Sequence, residues 1–409
     1  MSRLKSPAIL LVAVLLSLSL HLSAEEICAI EDCTKDAQIG CFRGVEKVGK
    51  KGVALTEREF LTTFMRSNPS GSLECFRQQV VAAGSNEIQS LSAFSGVIGG
   101  DVKPDNVDIV KIDGDWQIGL IDLDDGGQGS LLGDVFHTLT YNEVWEPRLT
   151  FDEAVAAYRL GLKGQKLKDV PQVLGDSSAP ERSCKELEEK WKKALGRDIK
   201  RLEGEDAKSA VKQRYDADQN TFSKVVQEIG EVQDHGFEMK TAGGGSMCIP
   251  RFVYLVSDKE QKRCDIVQFK LQRPPAAAVF SGGEADHKQR LASLTEYYRP
   301  GGDIGHLVKA EPVRGESKGY YIARYDRNEN FKATLNKRLD SEHFAKRHAY
   351  SKRMLHWLGQ VHAQQNAEYA KQFEETFPTT RDKLKAMIDS HIAYMEKRAG
   401  GLEPYKCSP

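Results

Sequence analysis

The chain lacks an excess of charge of either sign, and beyond its N-terminal segment it lacks any long apolar run. Its 409 residues include 58 Lys and Arg against 59 Asp and Glu, which gives a formal net charge of −1 at pH 7. This balance argues against a nucleic-acid-binding protein that relies on a basic surface. No later stretch approaches the roughly 18 consecutive apolar residues of a membrane-spanning helix.

The cysteines lack the paired close spacings that a zinc site requires. There are eight of them, an even number, and they are scattered along the chain. In an oxidising compartment we expect some of them to form disulfides, although the spacing leaves the pairing open. Internal repeats and low-complexity linkers are also lacking, so we expect one compact unit rather than a string of separate domains.

The N-terminus has the layout of a secretory signal peptide. Arg3 and Lys5 precede the apolar run from Ala8 to Leu22, and the small residues Ser23 and Ala24 follow it. This run is short for a bilayer span. We therefore expect residues 1–24 to be removed, and the mature protein to be periplasmic or secreted without a stable membrane anchor. The alternative is an uncleaved N-terminal anchor helix.

Two β-rich stretches are separated by a charged, helix-patterned segment. In the first stretch, strands are predicted at Val107–Ile112 and Trp116–Ile121, on either side of an Asp-Gly-Asp turn. The helical pattern runs from Thr150 to about Gln233, and a second β-rich block extends from about Glu238 to Tyr325. After Asn330 the pattern is helical. The mature chain thus divides into segments 25–235, 236–330 and 331–409.

Acidic and amide residues cluster in two loops of the first β-rich stretch. Asp101 and Asn106 are five residues apart in one loop, and Asp122 and Asp124 follow the predicted hairpin. Phosphoryl-transfer enzymes use an Asp, an Asn five residues later and a further Asp after a hairpin to hold Mg²⁺ and to orient the acceptor hydroxyl. Lys103 lies where a cation could steady the transferring phosphate. Turn composition would explain each residue singly, but the combination favours phosphoryl transfer.

The second β-rich block begins with a glycine-rich run and contains a lysine within an apolar strand. Lys270 lies in this strand, where an ammonium group is costly to bury unless it meets an anion such as phosphate or carboxylate. The alternative is an edge-strand lysine that faces solvent. Glu284 and Glu296 are candidate helical partners for it. The candidate phosphate-covering turn consists of Gly243, Gly244, Gly245 and Ser246.

Taken together, these motifs resemble the protein-kinase-like fold, and specifically the bacterial kinase-like domain-of-unknown-function family 2252. That family carries a Gly-Asp-x-His-x-x-Asn motif, then an acidic stretch that ends a hairpin, and further on a Gly-x-Gly-Ser segment. All three are present in that order, with Lys103 in place of the histidine and Cys248 in place of a glycine that ends the turn. Asp134 falls where aminoglycoside-phosphotransferase-like kinases keep an Asp that braces the catalytic loop.

The resemblance implies an α+β, protein-kinase-like fold with a small β-rich lobe and a larger helical lobe. Its motifs would be circularly permuted, because the glycine-rich turn and Lys270 follow the catalytic loop. It also implies a phosphotransferase that depends on ATP and Mg²⁺ and acts on an unknown acceptor. Asp101 would orient or deprotonate the acceptor, Asn106 and Asp122 would hold metal with Asp124 in reserve, and Lys270 and the turn would contact the nucleotide phosphates.

A rival interpretation is an exported, non-catalytic binding protein that keeps the kinase-like scaffold. Geometry separates the two interpretations. If the site is real, Lys270 and Asp122 should face one cleft with Asp101 and Asn106, and the ammonium and carboxylate should lie about 3 to 6 Å apart. His362 lies in an amphipathic helical pattern and is predicted to be a packing histidine rather than a functional one.

Overall fold

The structure is a computed structural model, and it describes residues 69–400 with internal gaps. The gaps are at 85, 105, 113–114, 168–188, 190–221, 228–229, 240–249, 258–263, 272–274, 282–285, 300–310, 313–318 and 325–340. The predicted signal peptide at 1–24 and the candidate turn Gly243–Ser246 therefore lie outside the described residues. Within the described ranges, no helix combines the length and apolar character needed to cross a bilayer.

The first part of the described chain, from Pro69 to Leu162, forms helices around two small antiparallel sheets. Strands β1 and β4 pair with Ser95 opposite Ser130, and β2 and β3 form a hairpin with Val107 opposite Leu120. The hairpin confirms the two strands predicted around the Asp-Gly-Asp turn. In order the elements are α1 (Pro69–Ala82), α2 (Asn86–Ser92), β1 (Ser95–Ile98), β2 (Val107–Ile112), β3 (Asp115–Leu120), β4 (Gly127–Ser130), α3 (Leu131–Trp145) and α4 (Phe151–Leu162).

The starts of α3 and α4 are fixed by side-chain caps. The Ser130 hydroxyl accepts a hydrogen bond from the Gly133 N–H at the start of α3. At the start of α4, Thr150 and Glu153 form a reciprocal capping box, in which each side chain bonds the other residue's backbone N–H. Such caps satisfy N–H groups that have no partner within the helix. The Ser130 cap thus fixes the start of α3, which directly follows β4.

The second β-rich block forms one antiparallel five-stranded sheet in the order β5-β6-β7-β9-β8. Phe252 and Phe269 are buried on it, and Phe222 packs on both with ring centroids 4.9 and 4.4 Å away. In the described parts of the stretch between β7 and β8 there are two helices. The elements are β5 (Glu231–Met239), β6 (Pro250–Ser257), β7 (Cys264–Leu271), α5 (Ala278–Ser281), α6 (His287–Tyr298), β8 (Glu311–Pro312) and β9 (Gly319–Arg324).

The C-terminal helices α7 (Ser341–Gln365) and α8 (Ala367–Gly400) pack against the first part of the chain. Helix α7 crosses α4 with backbones in contact: a Cβ at Gly161 would lie 1.9 Å from the His356 carbonyl oxygen. One hydrophobic core joins residues of α1 to α4 with Leu291 and Leu294 of α6 and with residues of α7 and α8. Helix α6, which lies between β7 and β8 in the chain, is thus part of the core of the helical layer.

These elements confirm the α+β class, with helices and antiparallel sheets in one described structure. The helices predicted after Asn330 are α7 and α8. The second β-rich block begins earlier than the predicted start near Glu238, because β5 already begins at Glu231, where it pairs with Ser257 at the end of β6. A long partner strand recruits these residues despite their polar composition.

Two cysteines lie within the described residues. Cys75 on α1 is buried and is not part of a disulfide. Cys264 at the start of β7 is disulfide-bonded, and its partner lies outside the described residues. The remaining cysteines also lie outside them, so the pairing pattern stays a prediction.

Candidate active site

Two loops from the small sheets lie side by side. One follows β1 and carries Asp101 to Asn106, and the other follows β3 and carries Asp122 to Gly126. The Ile121 N–H donates to the Asn106 carbonyl over 2.8 Å, which extends the hairpin ladder to the base of both loops. Gly100 has φ of +71°, and a Cβ there would lie 2.0 Å from the Asp125 carbonyl oxygen. Only glycine allows this approach of the two backbones.

Asp134, in the first turn of α3, braces the first of these loops. It is fully buried, and its two carboxylate oxygens accept the N–H groups of Gly99 and Gly100, each over 3.0 Å. The Tyr298 hydroxyl donates to the same carboxylate over 2.9 Å. The contact that the sequence predicted between Asp134 and the loop is therefore confirmed, and it is reinforced from α6.

Asp101 is buried and held by three side chains. Asn106 Nδ2 donates to Asp101 Oδ2 over 2.7 Å, and the Lys103 ammonium forms an ion pair with the same oxygen. His137 Nε2 lies 3.1 Å from Oδ1. Burial alone would raise the pKa of Asp101, but the Lys103 charge and the His137 hydrogen bond outweigh it, so this pKa lies below its usual value. Asp101 is therefore an ionised carboxylate with a fixed orientation.

Lys270 joins the large sheet to the second loop. Its side chain is buried, and Nζ lies 3.1 Å from each carboxylate oxygen of Asp122 and also pairs with Asp124. The predicted separation of about 3 to 6 Å is confirmed. The solvent-facing edge-strand alternative is wrong, because β7 lies between β6 and β9. Two acidic residues and one lysine, distant in sequence, thus meet beside the Asp101 loop.

Of the two candidate glutamate partners of Lys270, only Glu296 lies within the described residues. Glu296 is exposed on α6, whereas Lys270 is buried against Asp122 and Asp124. The sequence alone does not show whether a polar side chain on a helix surface points toward a neighbouring sheet or toward solvent. Glu284 lies outside the described residues, as do Gly243, Gly244, Gly245 and Ser246, so their predicted roles stay predictions.

Arg290 on α6 is a site residue that the sequence did not indicate. Its guanidinium is buried, and Nη1 donates to the carbonyls of Leu123, Asp124 and Gly126 over 2.7, 3.2 and 2.9 Å. Because the partners are backbone carbonyls, no residue type in the loop marks the contact. A buried guanidinium with several carbonyl acceptors fixes the path of the loop from Asp122 to Gly126, which we call the acidic loop.

His362 is a core residue, as predicted. It is fully buried on α7, with Nδ1 2.8 Å from the Tyr158 hydroxyl and Nε2 3.4 Å from both Asp134 and the Tyr298 hydroxyl. Burial raises the pKa of Tyr158 and of Tyr298 well above their usual values, so both hydroxyls stay protonated. His362 thus helps to pack the brace around Asp134.

The side chains that could hold a divalent cation are few. Within the described ranges, no group of three or more His, Cys, Asp and Glu side chains has metal-holding geometry. Asp122 and Asp124 nevertheless converge on one cation, the Lys270 ammonium, and Asn106 lies in the adjacent loop. Mg²⁺ in phosphate-handling sites is held by one or two carboxylates together with substrate phosphates and waters, and this donor set fits that pattern.

Comparison with known proteins adds no relative: no protein-family model matches the chain, and no curated protein or solved structure matches it either. The candidate site therefore rests on its own residues and geometry.

Proposed function

We propose that the protein is an exported phosphotransferase that uses ATP and Mg²⁺, built on a protein-kinase-like fold whose motifs are circularly permuted. In protein kinases the nucleotide-binding lysine lies on the third strand of the sheet, and a glycine-rich loop covers the phosphates. Lys270 lies on β7, which is third in chain order within the large sheet. The run Gly243–Ser246 falls between β5 and β6. The proposal of export is supported by the N-terminal sequence pattern alone.

One observation carries the proposal: the ion pair of Lys270 with Asp122 and Asp124 beside the loop that holds Asp101 and Asn106. A site for phosphoryl transfer needs a phosphate-binding cation and metal-binding carboxylates around one small group. Three separate sequence motifs supply these groups, and the folded chain brings them together. An ordinary turn would not require that convergence.

Each residue has a chemical task in this proposal. Asp122 and Asp124 would hold the metal together with the amide oxygen of Asn106, because the amide nitrogen already donates to Asp101. Bound Mg²⁺-ATP would supply the transferable phosphoryl group and part of the positive charge that neutralises it. Lys270 would bind the nucleotide phosphates, and Lys103 the transferring phosphate. Asp101 would orient the acceptor hydroxyl rather than act as a strong base, since its pKa is lowered.

The second candidate function is a binding protein that keeps the scaffold without catalysis. It is favoured by Cys248, which stands at the end of the glycine-rich run where a glycine would let backbone N–H groups approach phosphate. A side chain there would crowd that approach. Nucleotide binding separates the two candidates.

A thermal-shift titration with Mg²⁺-ATP tests the proposal. A ligand at about 100 times its dissociation constant stabilises the folded state by about 2.7 kcal/mol. We expect a clear rise in Tm with Mg²⁺-ATP and a smaller one with ATP and EDTA. An unchanged Tm with every nucleotide would favour the binding-protein candidate.

A further inference from the structure

His137 occupies a position that the roles above leave unexplained. It lies on α3, one turn after Asp134, and its side chain is fully buried. Its Nε2 lies 3.1 Å from Asp101 Oδ1. Residues three apart on a helix share a face, so Asp134 and His137 approach the same loop. Asp134 holds the loop backbone, and His137 holds the carboxylate itself.

The hydrogen bonds of the ring indicate which nitrogen carries the proton. Nδ1 of His137 is buried and has no hydrogen-bond partner within the described part of the chain. A proton on Nδ1 would be an unsatisfied buried donor, and Nε2 would then face the Asp101 carboxylate with a lone pair. The arrangement that satisfies these contacts places a proton on Nε2, which donates to Oδ1.

The acceptor positions of Asp101 are then nearly all used. An ionised carboxylate offers about four lone-pair positions, two on each oxygen. Asn106 and Lys103 occupy Oδ2, and His137 occupies one position on Oδ1. Among the hydrogen bonds of the described residues, one position on Oδ1 is left for an incoming hydroxyl.

We propose that His137 is a positioning residue, which fixes the Asp101 carboxylate so that Oδ1 receives the acceptor hydroxyl. This inference rests on the proposed phosphotransferase function. His137 does not touch the acceptor, and it acts through Asp101. Losing its hydrogen bond lets the carboxylate rotate, which lowers the rate of transfer but leaves the nucleotide site at Lys270 and Asp122 intact.

The test compares His137→Met, which removes the donor at similar volume, with His137→Gln, whose amide can place an N–H near the position of Nε2. His391→Met is the matched control. His391 is also buried, bonds Ser72 through Nε2 over 3.0 Å, and has no partner at Nδ1 within the described residues. The measurements are hydrolysis of Mg²⁺-ATP, with water as the acceptor, and Mg²⁺-ATP affinity by calorimetry.

We expect His137→Met to lower kcat by about 10- to 100-fold, the size of effect that misplacement of a reacting group produces. Its Mg²⁺-ATP Kd should stay close to the wild-type value. His137→Gln should recover most of the rate, and His391→Met should keep it. Equal kcat in His137→Met and His391→Met, or a glutamine variant as slow as the methionine variant, would overturn the inference.

A second measurement does not depend on turnover. Long-range ¹H–¹⁵N correlation of the histidine rings should show His137 protonated on Nε2, and Asp101→Ala should remove the hydrogen-bonded character of that proton. Protonation on Nδ1 would overturn the inference even if His137→Met fails to fold. If the wild type neither binds nor hydrolyses Mg²⁺-ATP, the proposed function fails, and the ring spectrum still decides whether His137 holds Asp101.

Discussion

At the scale of single residues, the candidate site is a set of paired charges, most of them buried. Lys103 and Lys270 are 4% and 2% exposed, and they pair with Asp101 and with Asp122 and Asp124 respectively. Burying an ammonium group is unfavourable unless a partner and hydrogen bonds compensate for its lost hydration. The pairs therefore compensate for the burial of both ammonium groups.

The first prediction concerns Asp122→Asn. This change removes an anionic oxygen ligand, so we expect it to abolish nucleotide binding that depends on Mg²⁺, as measured by calorimetry. Asp152→Asn is the control, because Asp152 forms an exposed ion pair with Arg381. His362→Gln should lower Tm but keep nucleotide affinity, since His362 packs within the core. Equal affinity in wild type and Asp122→Asn would remove Asp122 from the site.

The site residues that could be predicted from the sequence are mainly those whose spacing along the chain matches a known motif. Asp101, Asn106, Asp122 and Asp134 stand at separations that phosphotransferases share, and Lys270 was marked by its charge within an apolar strand. Arg290 could not be predicted, because backbone carbonyls carry no residue signature. His137 left a weak signal: it lies three residues after Asp134, and on α3 this spacing places both residues on the face that meets the loop.

At the scale of elements, α6 connects the acidic loop to the helical core. Arg290 binds three carbonyls of the acidic loop near one end of the helix, and Tyr298 bonds Asp134 at the other. Between them, Leu294 packs so closely that a Cβ at Gly126 would lie 2.5 Å from its side chain. One helix thus sets the positions of both candidate loops.

The second prediction is that Arg290→Lys weakens Mg²⁺-nucleotide binding by about tenfold, a difference of about 1.4 kcal/mol. A lysine keeps the charge, but its shorter side chain places the ammonium short of the Nη1 position from which Arg290 reaches all three carbonyls. Calorimetry of the folded variant measures the change. Arg381→Lys, at an exposed ion pair, is the control and should bind as the wild type does. Unaltered affinity in Arg290→Lys would show that the loop keeps its path without the guanidinium fork.

The third prediction concerns the crossing of α4 and α7. A Cβ at Gly359 would lie 2.2 Å from the Tyr158 carbonyl oxygen, so Gly359→Ala should force the helices apart and cost about 1–3 kcal/mol or more. Gly164→Ala is the comparison. Gly164 has φ of +63° and open space around it, so only backbone strain of about 1–2 kcal/mol applies. Chemical denaturation should show the larger loss for Gly359→Ala, and a larger loss for Gly164→Ala would contradict the predicted clash.

Sequence patterns predicted elements well where the periodicity was strong. The β2–β3 hairpin and the helices α7 and α8 appear as expected. The pairing of β1 with β4 is different, because β4 reads Gly-Gln-Gly-Ser and carries no apolar alternation. It forms a strand since Ser95 to Ile98 offers a complementary edge, which is a property of the folded chain rather than of local sequence.

At the scale of the whole molecule, the fourth prediction concerns export. The N-terminal pattern predicts cleavage after Ala24, so the protein recovered from the periplasm or the medium should begin near Glu25. Intact-mass measurement on that fraction is the test, with the unprocessed chain from a cell-free translation as the mass reference. A soluble form that retains residues 1–24 would contradict the predicted localisation.

The fifth prediction asks how the large sheet is joined to the helical layer. Lys270 on β7 is buried against Asp122 and Asp124 of the acidic loop, while α6 shares the core of the helical layer. Lys270→Met removes the ammonium and leaves two carboxylates facing each other, and like charges at short range repel. The loss should be less than the roughly 3–5 kcal/mol of a fully buried broken pair, because the Asp122 side chain is 35% exposed.

We expect Lys270→Met to lower Tm in EDTA, and added Mg²⁺ to restore part of the loss, because a divalent cation can replace the ammonium between the two carboxylates. The double variant Lys270→Met/Asp122→Asn is the control. It removes the lysine and one of the facing negative charges, so its Tm in EDTA should exceed that of Lys270→Met, and its response to Mg²⁺ should be small. Equal Tm in the two variants would show that the two carboxylates do not repel each other once the lysine is gone. A Tm of Lys270→Met equal to that of the wild type would show that the ion pair does not help to join the sheet to the acidic loop.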